Sequence, residues 1–234
     1  MPNQKEVEHI QLNQGTVAQL FKLPQQMIDY LWERIDIAKK KQVCHKKNLD
    51  YIPKISHSYI LKDPQNLVVP NLYKIVFNQV DNPKMFEFIN MEVETINKRI
   101  PKQGGKLVKP YLDDIWVNFQ KKGEFIPIHN HSGIFSFVIW MDIPYHSKDE
   151  AKLPFAKSGS QNPLGGNFIF VSSEGTSREV KDYTIELSPE MNGCCCFFPS
   201  DLCHQVYPFY TSDKDRISIS GNIVYRPKEP TPHP

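Results

Sequence analysis

The C-terminal half of the chain consists of short apolar runs separated by polar, glycine-containing turns, which is typical of a β-rich fold. Strands without intervening helices favour a sandwich or a barrel, and a jelly roll is the version in which several strands carry a site on an inner face. The pattern predicts strands at Leu112–Gln120, Phe125–His131, Ile134–Ile143, Asn167–Val171, Thr184–Leu187, Cys194–Phe198, Gln205–Tyr207 and Arg216–Tyr225.

The N-terminal third differs, because its apolar residues recur at helical spacing. A short strand at Val17–Leu23 precedes a helix that begins at Pro24 and ends in lysines. A second helix is predicted at Pro83–Arg99. Between the two helices, apolar pieces at Tyr59–Leu61 and Leu67–Val69 are broken by prolines. The buried stripe of the first helix should be Met27, Leu31, Ile35 and Ala38.

Two polar stretches are predicted to be loops. His45 lies in CHKKNLD and is expected to be solvated, and residues 146–166 are expected to form a mobile loop at the mouth of a pocket. We expect one compact unit in which an N-terminal elaboration, residues 1–108, packs on a core of residues 109–226. The proline-rich tail, 227–234, is expected to be disordered.

Composition excludes some classes of partner. The 234 residues are 40% hydrophobic, enough for a real core. The net charge is +2, from 28 basic and 26 acidic residues, so nucleic acid is not favoured as a partner. No apolar run approaches the roughly 18 residues that span a bilayer, and MPNQKEVEHIQLNQG lacks the apolar core of a signal peptide. We expect a cytoplasmic protein without a membrane partner, and the sequence does not indicate its oligomeric state.

Three of the five cysteines, Cys194, Cys195 and Cys196, are consecutive. Adjacent cysteines pair poorly and alternate between the faces of a strand, so a disulfide framework is not expected and a reducing compartment fits best. A metal or redox site is one interpretation. We favour small apolar residues on a buried strand, because unpaired cysteine is usually buried.

Two histidines in a strand-like segment are the first candidates for chemistry. Side chains at i and i+2 of a strand point to the same face, so His129 and His131 can converge on one point, as metal ligands do. His204 follows another apolar run. Three imidazoles from separate strands can hold iron, zinc, copper or nickel and leave positions open for substrate. A histidine pair two apart also occurs by chance, and one of the two would then be only hydrogen-bonded.

A possible anion site lies downstream of His204. Strand alternation in RISIS places Arg216, Ser218 and Ser220 on one face and Ile217 and Ile219 on the other. A planar guanidinium beside a hydroxyl can hold a carboxylate through two parallel hydrogen bonds. Arg216 is instead an outward-facing charge if the serine face meets solvent, and the pattern alone does not choose.

At this point the chain resembles a known family. The runs WVNFQKKGEFIPIHNHSGIFSFVIWMDIP, GGNFIF, NGCCCFFPSDLCHQVYP and DRISISGNIVY are similar to the Fe(II)- and 2-oxoglutarate-dependent oxygenases, in particular those of bacteria and tailed phages. The resemblance covers about residues 109–226. It implies a mainly β fold with flanking helices around a double-stranded β-helix (jelly-roll) core. It also implies an enzyme that uses Fe(II), 2-oxoglutarate and O₂ to hydroxylate a substrate.

The resemblance implies roles for individual residues. His129 would be the first iron ligand and His204 the distal one. Arg216 would clamp the far carboxylate of 2-oxoglutarate, with Ser218 completing an RxS pattern. Asn118 is a candidate for a hydrogen bond to the co-substrate.

His131 departs from the family pattern, because it stands where the family usually has a carboxylate. We expect His131 to bind iron, since its spacing is that of the motif. The site then has three histidines and a net charge higher by one unit. Otherwise the carboxylate comes from Asp142, Asp201 or Glu124, or a water replaces it.

Three functions are compatible with these residues. The first is a 2-oxoglutarate-dependent hydroxylase. The second is a cupin-like dioxygenase with three histidines and no 2-oxoglutarate, against which Arg216 followed by Ser218 argues. The third is a non-enzymatic jelly-roll protein that is structural or binds carbohydrate. The substrate is open between a small molecule and a protein side chain, because no motif marks the segments expected to set specificity.

Overall fold

The computed structural model describes residues 8–12, 17–45, 55–77, 108–157, 164–173 and 180–227. The predicted helix at Pro83–Arg99 and nearly all of the predicted tail lie outside these residues. The strands are β1 (Glu8–Gln11), β2 (Val17–Lys22), β3 (His57–Ile60), β4 (Val108–Gln120), β5 (Ile126–His129), β6 (Phe135–Asp142), β7 (Phe168–Ser173), β8 (Val180–Ile185), β9 (Cys194–Pro199), β10 (His204–Val206) and β11 (Arg216–Pro227). The helices are α1 (Gln25–Lys41), α2 (Val68–Phe77) and α3 (Ser147–Glu150), with 3-10 turns at Pro154–Lys157 and Pro189–Met191.

The strands form two antiparallel sheets. The larger sheet has the order β1-β2-β9-β6-β11-β4-β3, and the smaller has the order β5-β10-β7-β8. One apolar layer packs α1 and α2 against the larger sheet, and a second lies between the two sheets. This confirms the predicted jelly-roll class, mainly β with flanking helices. None of the helices in the described ranges is long and apolar enough to cross a membrane.

Helix α1 forms as its pattern predicts. Its buried residues are Met27, Leu31, Ile35 and Ala38, which pack on the larger sheet. Three lysines occupy the last turn, where positive charge stabilises the helix dipole. The helix ends where Gln42 adopts a left-handed conformation, with φ of 49°, and its N–H donates to the carbonyl of Ala38.

Helix α2 replaces the short apolar piece predicted at Leu67–Val69. Pro70 does not break the helix, because it lies in the first turn, where a backbone N–H has no intrahelical acceptor. The Asp63 carboxylate accepts from the N–H groups of Leu67 at 3.0 Å and Val68 at 2.8 Å, which caps the exposed end.

The consecutive cysteines are core residues, as favoured from the sequence. Cys195 points into the layer beneath the helices, and Cys196 points into the layer between the sheets. Burial raises the pKa of both thiols, so they stay protonated. All five cysteines are free thiols.

The loop predicted at residues 146–166 is partly helical. Its first part forms α3 and the turn Pro154–Lys157, and residues 158–163 lie outside the described ranges. Glu150 is buried and accepts from the N–H groups of Tyr210 and Thr211, both at 2.8 Å. The polar sequence did not predict the buried position of Glu150, because its backbone donors are distant in sequence and leave no local pattern.

Alternation along β4 and β11 decides which side chains meet the space between the sheets. The two strands pair antiparallel, with Arg216 opposite Gln120 and Ser218 opposite Asn118. These four side chains face the smaller sheet, whereas Ile219 packs in the layer beneath the helices. The sequence left the direction of Arg216 open, and in the structure the serine face is the inner one.

Candidate active site

A cavity of about 660 Å³ opens between the two sheets. Clefts that bind small molecules have volumes on the order of 300–1,000 Å³. Every site residue predicted from the sequence lines this cavity: Asn118, His129, His131, His204, Arg216 and Ser218.

Three imidazoles meet at one end of the cavity. His129 on β5 lies opposite His204 on β10, with ring centroids 4.3 Å apart. His131 follows the end of β5, and its N–H donates to the carbonyl of Ser200 at 2.8 Å. One ligand atom from each ring lies within 4.8 Å of the others. The three residues, hereafter the triad, can therefore hold one metal ion.

Backbone contacts orient two of the rings. His129 Nδ1 lies 2.8 Å from the carbonyl of Pro127, and His204 Nδ1 lies 3.0 Å from that of Leu202. With Nδ1 donating to a carbonyl, Nε2 carries the lone pair that a metal ion needs. The structure thus repeats at both positions the outer hydrogen bond that usually supports a histidine ligand.

Burial favours the neutral form of the His129 and His204 imidazoles. His204 is 3% exposed, and its ring stacks on Phe168 at 5.2 Å between centroids. Burial, with the neighbouring His129 and His131, lowers the pKa of His204 well below its ordinary value. Burial also lowers the pKa of His129. A neutral imidazole is the form that binds metal, so the site favours coordination over protonation.

The carboxylates considered as alternatives to His131 lie elsewhere. Within the described ranges, no Asp or Glu side chain belongs to the triad cluster. Glu124 accepts from the N–H groups of Ser56 at 3.1 Å and Lys121 at 2.9 Å. Neither Asp142 nor Asp201 lines the cavity.

Arg216 lies at the opposite end of the cavity and is only 2% exposed. Its Nη1 donates to the Tyr145 hydroxyl and to the carbonyl of Gly166 at 3.0 Å. Its Nη2 donates to Gln120 Oε1 at 2.5 Å and to the carbonyl of Tyr207 at 3.3 Å. All four acceptors are neutral, and no carboxylate among the described residues pairs with the guanidinium. A buried cation without a counter-charge is costly unless an anion joins it.

Two further polar groups, on β3 and β4, are buried without a hydrogen-bond partner. Asn118 is 3% exposed, and its Oδ1 has no hydrogen-bond partner. The hydroxyl of Ser58, directly opposite Asn118 on β3, is also buried and has no partner. A buried polar atom left without a partner costs about 1–3 kcal/mol. Asn118 lines the cavity, and an unpaired polar atom in a cavity wall is expected where a ligand supplies the missing hydrogen bond.

His45 corrects a prediction, because it is not a solvated loop residue. It is 5% exposed, lines the cavity and stacks on Trp116 at 4.4 Å between ring centroids. A β-bridge between Cys44 and Tyr59 draws it to the edge of the larger sheet, where its N–H donates to the carbonyl of Ser58 at 3.0 Å. The polar run CHKKNLD could not reveal this pairing, because the partner strand is distant in sequence.

Sequence reasoning also missed the residues that surround Arg216. Tyr145 follows β6 and is 71 residues from Arg216. Phe209 stacks on the Tyr145 ring, with centroids 4.6 Å apart, and lies 5.7 Å from the Arg216 guanidinium carbon. No motif or periodicity marks these positions, so only the fold reveals them.

Solved structures of oxygenases are similar to the chain at low identity. A Pseudomonas putida prolyl-4-hydroxylase is 15% identical, the match covers 92% of this chain and 93% of the hydroxylase chain, and the TM-score is 0.46. An oxidoreductase of the 2OG-Fe(II) oxygenase family from Burkholderia pseudomallei is 17% identical, with coverages of 90% and 84% and a TM-score of 0.42. A Trichoplax adhaerens prolyl hydroxylase, in complex with a hypoxia inducible factor peptide fragment, is 10% identical, with coverages of 89% and 82% and a TM-score of 0.45. No curated protein sequence matches the chain.

The comparison with protein families is more direct. Residues 114–222 match the model of a family described as "Putative 2OG-Fe(II) oxygenase". The matched segment includes the whole triad and Arg216, together with most of β4 and β11. The match confirms, over residues 114–222, the resemblance noted in the sequence to the 2OG-Fe(II) oxygenases.

Proposed function

We propose that the protein is a non-haem iron oxygenase that couples the oxidative decarboxylation of 2-oxoglutarate to the hydroxylation of a substrate. One observation carries the proposal: three imidazoles and a buried guanidinium without a counter-charge face the same cavity. The first group suits a metal ion, and the second suits an anion.

The triad would hold the iron. His129, His131 and His204 offer nitrogen ligands, which suit first-row transition metals, and three ligands leave coordination positions free. Bound iron supplies the redox chemistry that joins O₂, 2-oxoglutarate and a substrate C–H bond in one reaction. The protein holds the His129 and His204 rings through the Pro127 and Leu202 carbonyls, so the orientation of these two rings does not depend on the metal.

Arg216 would bind the far carboxylate of 2-oxoglutarate. A carboxylate would neutralise the buried cation and accept charge-assisted hydrogen bonds from it. Ser218 lines the cavity two residues along the same strand face and adds a hydroxyl donor. Asn118, directly opposite Ser218, can turn its amide so that the NH₂ group meets a co-substrate oxygen.

The cavity wall would keep water from the reacting centre. Phe168 and Phe198 pack on the His204 ring, with centroids 5.2 and 5.0 Å away. Phe137 and Trp140 continue this wall on β6. Excluding water protects a reactive centre from side reactions until the substrate is present.

The substrate we propose is a small molecule or a protein side chain. The volume of about 660 Å³ exceeds what a five-carbon co-substrate needs, so room remains beside the triad. The His45 and Trp116 rings form one wall of this room. A cytoplasmic location stays a prediction.

The test is an anaerobic titration of the metal-free protein with Fe(II) and then with 2-oxoglutarate. The titration is monitored by the visible charge-transfer band of the chelated keto acid. We expect a band that saturates with 2-oxoglutarate, and we expect Arg216→Ala to need about 100-fold more co-substrate, because a charged hydrogen-bonded pair is lost. Succinate should form when O₂ is admitted.

The other functions give different results in the same titration. Iron binding without a band, and without succinate, would favour a three-histidine dioxygenase that does not use 2-oxoglutarate. No iron binding would favour a structural or carbohydrate-binding jelly roll. The buried guanidinium already argues against both, since neither function needs an uncompensated cation in the cavity.

A further inference from the structure

Three rings in contact connect the edge of the larger sheet to the triad. The His45 ring stacks on the Trp116 indole, with centroids 4.4 Å apart and planes within 11° of parallel. The Trp116 indole in turn contacts the His131 ring, with centroids 6.0 Å apart and planes tilted by 54°. Only one side chain, the indole, therefore lies between His45 and the third imidazole of the triad.

The larger sheet holds the two stacked rings in place. Trp116 lies within β4, where its neighbour on β11 is Ser220, and it is 7% exposed. The backbone N–H of His45 donates to the carbonyl of Ser58 at 3.0 Å, which joins this residue to β3. His45 Nε2 also lies 4.0 Å from Asp114 Oδ2. Backbone pairing thus orders the stacked rings independently of a metal ion.

His131 differs from the other two members of the triad in its backbone. It lies beyond the end of β5, whereas His129 and His204 are strand residues. The oxygenases that the chain resembles usually have a carboxylate at the position of His131. An imidazole binds a metal ion only along the lone pair in its ring plane, so a packed neighbour that sets this plane favours binding. The Trp116 indole is in contact with the ring that needs this orientation.

We infer that His45 is a positioning residue for the triad: by stacking on Trp116 it fixes the indole against which His131 packs, and so sets the ring plane of His131. The inference rests on the proposed function of the triad. His45 lies outside residues 114–222, the segment that matches the oxygenase family, so the N-terminal elaboration contributes to the site from beyond that segment. Residues that orient a metal ligand change metal affinity by about 10–100-fold when they are removed.

The test is the Co(II) affinity of the metal-free protein without 2-oxoglutarate, measured by competition with a chromophoric chelator. Co(II) suits nitrogen ligands, as Fe(II) does, and its visible ligand-field absorption reports the arrangement of those ligands. His45→Leu removes the stacked ring, so it should weaken Co(II) binding roughly tenfold and change the absorption spectrum. His45→Phe keeps a flat ring on the indole, so its Co(II) affinity should stay within about twofold of the wild-type value.

A second background separates the orientation of His131 from a general loss of structure. His131→Asp introduces the carboxylate that the oxygenases usually have, and a carboxylate has no ring for the indole to orient. We expect His45→Leu to leave the Co(II) affinity of the His131→Asp protein unchanged. An equal loss in both backgrounds would show that His45 acts on the fold rather than on His131, and it would overturn the inference.

His57→Leu is the matched control. His57 lies on β3 near the same edge of the sheet, but its ring contacts Tyr59, which packs in the layer beneath the helices. This variant should bind Co(II) as the wild type does. Wild-type affinity in His45→Leu, or equally weak binding in His45→Phe, would contradict the inference and leave the proposed role of the triad intact. A wild-type protein that binds neither Co(II) nor Fe(II) would overturn the proposed function, and the inference with it.

Discussion

At one end of the cavity three imidazoles come from the smaller sheet and from the segment after β5. At the other end one guanidinium extends from the larger sheet and is surrounded by neutral groups. Short-range backbone contacts orient His129 and His204, each to a carbonyl two residues earlier. Long-range contacts orient Arg216, through Tyr145, Gln120 and Gly166. Local contacts thus orient two rings of the proposed metal end, which is the triad, whereas the proposed anion end, which is Arg216, depends on the whole fold.

The largest effect should come from removing a ligand at the metal end. His204→Ala should abolish Fe(II) binding, because two imidazoles alone hold a first-row metal weakly. Iron per chain, measured after gel filtration, should fall to background while the circular dichroism spectrum is retained. The exposed His146, paired at 3.8 Å with Glu190, gives the control, and His146→Ala should bind iron normally. Full iron occupancy in His204→Ala would remove this residue from the site.

An intermediate effect should come from placing a carboxylate at the anion end. Gln120→Glu keeps the side-chain shape and puts a negative charge beside Nη2 of Arg216. The internal ion pair should compete with 2-oxoglutarate and raise the concentration needed for the charge-transfer band by about 100-fold, while iron binding is unchanged. The melting temperature should not fall, because the buried cation gains a partner.

Gln120→Met is the neutral control, since it removes the acceptor without adding charge. This variant should bind 2-oxoglutarate at least as well as the wild type. If Gln120→Glu and Gln120→Met behaved alike, charge at this position would be irrelevant and the far carboxylate would bind elsewhere.

The smallest effect should appear as a pH dependence of the metal-free protein. Burial lowers the pKa of His204, so the folded chain leaves this ring neutral at pH values where the unfolded chain protonates it, below about 6.5. The unfolded state then binds more protons, and stability is present above that pH and is lost as pH falls toward the lower folded value. The free energy of unfolding in urea should decrease on the order of 1 kcal/mol between about pH 7.5 and about pH 5.5. His204→Gln should flatten the curve, and a rise in stability toward acid would contradict the assignment.

The sequence predicted the metal end better than the anion end. Alternation of side chains along a strand predicted that His129 and His131 share a face, and the apolar run before His204 indicated a third imidazole on another strand. The direction of Arg216 was open, because RISIS has an apolar and a polar face and the pattern does not say which is buried. The structure decides it through the packing of Ile219 beneath the helices.

Two of the remaining differences share one cause, which is contact between residues distant in sequence. Tyr145 reaches Arg216 across 71 residues, and His45 becomes a cavity residue only because Cys44 bridges to Tyr59. Helix α2 was missed for another reason, since Pro70 is compatible with a first turn that Asp63 caps. The local sequence pattern predicts most of the helices and strands, but it does not predict which residues distant in sequence come into contact.

The pairing of strands β4 and β11 fixes the distance between the two ends of the cavity. Arg216 lies opposite Gln120, and Ser220, four positions further on, lies opposite Trp116, whose ring is 6.0 Å from that of His131. Inserting one residue between these rows would turn one of them toward the helices, because strand faces alternate. The separation of the triad from Arg216 can therefore change only in steps of two residues along these strands.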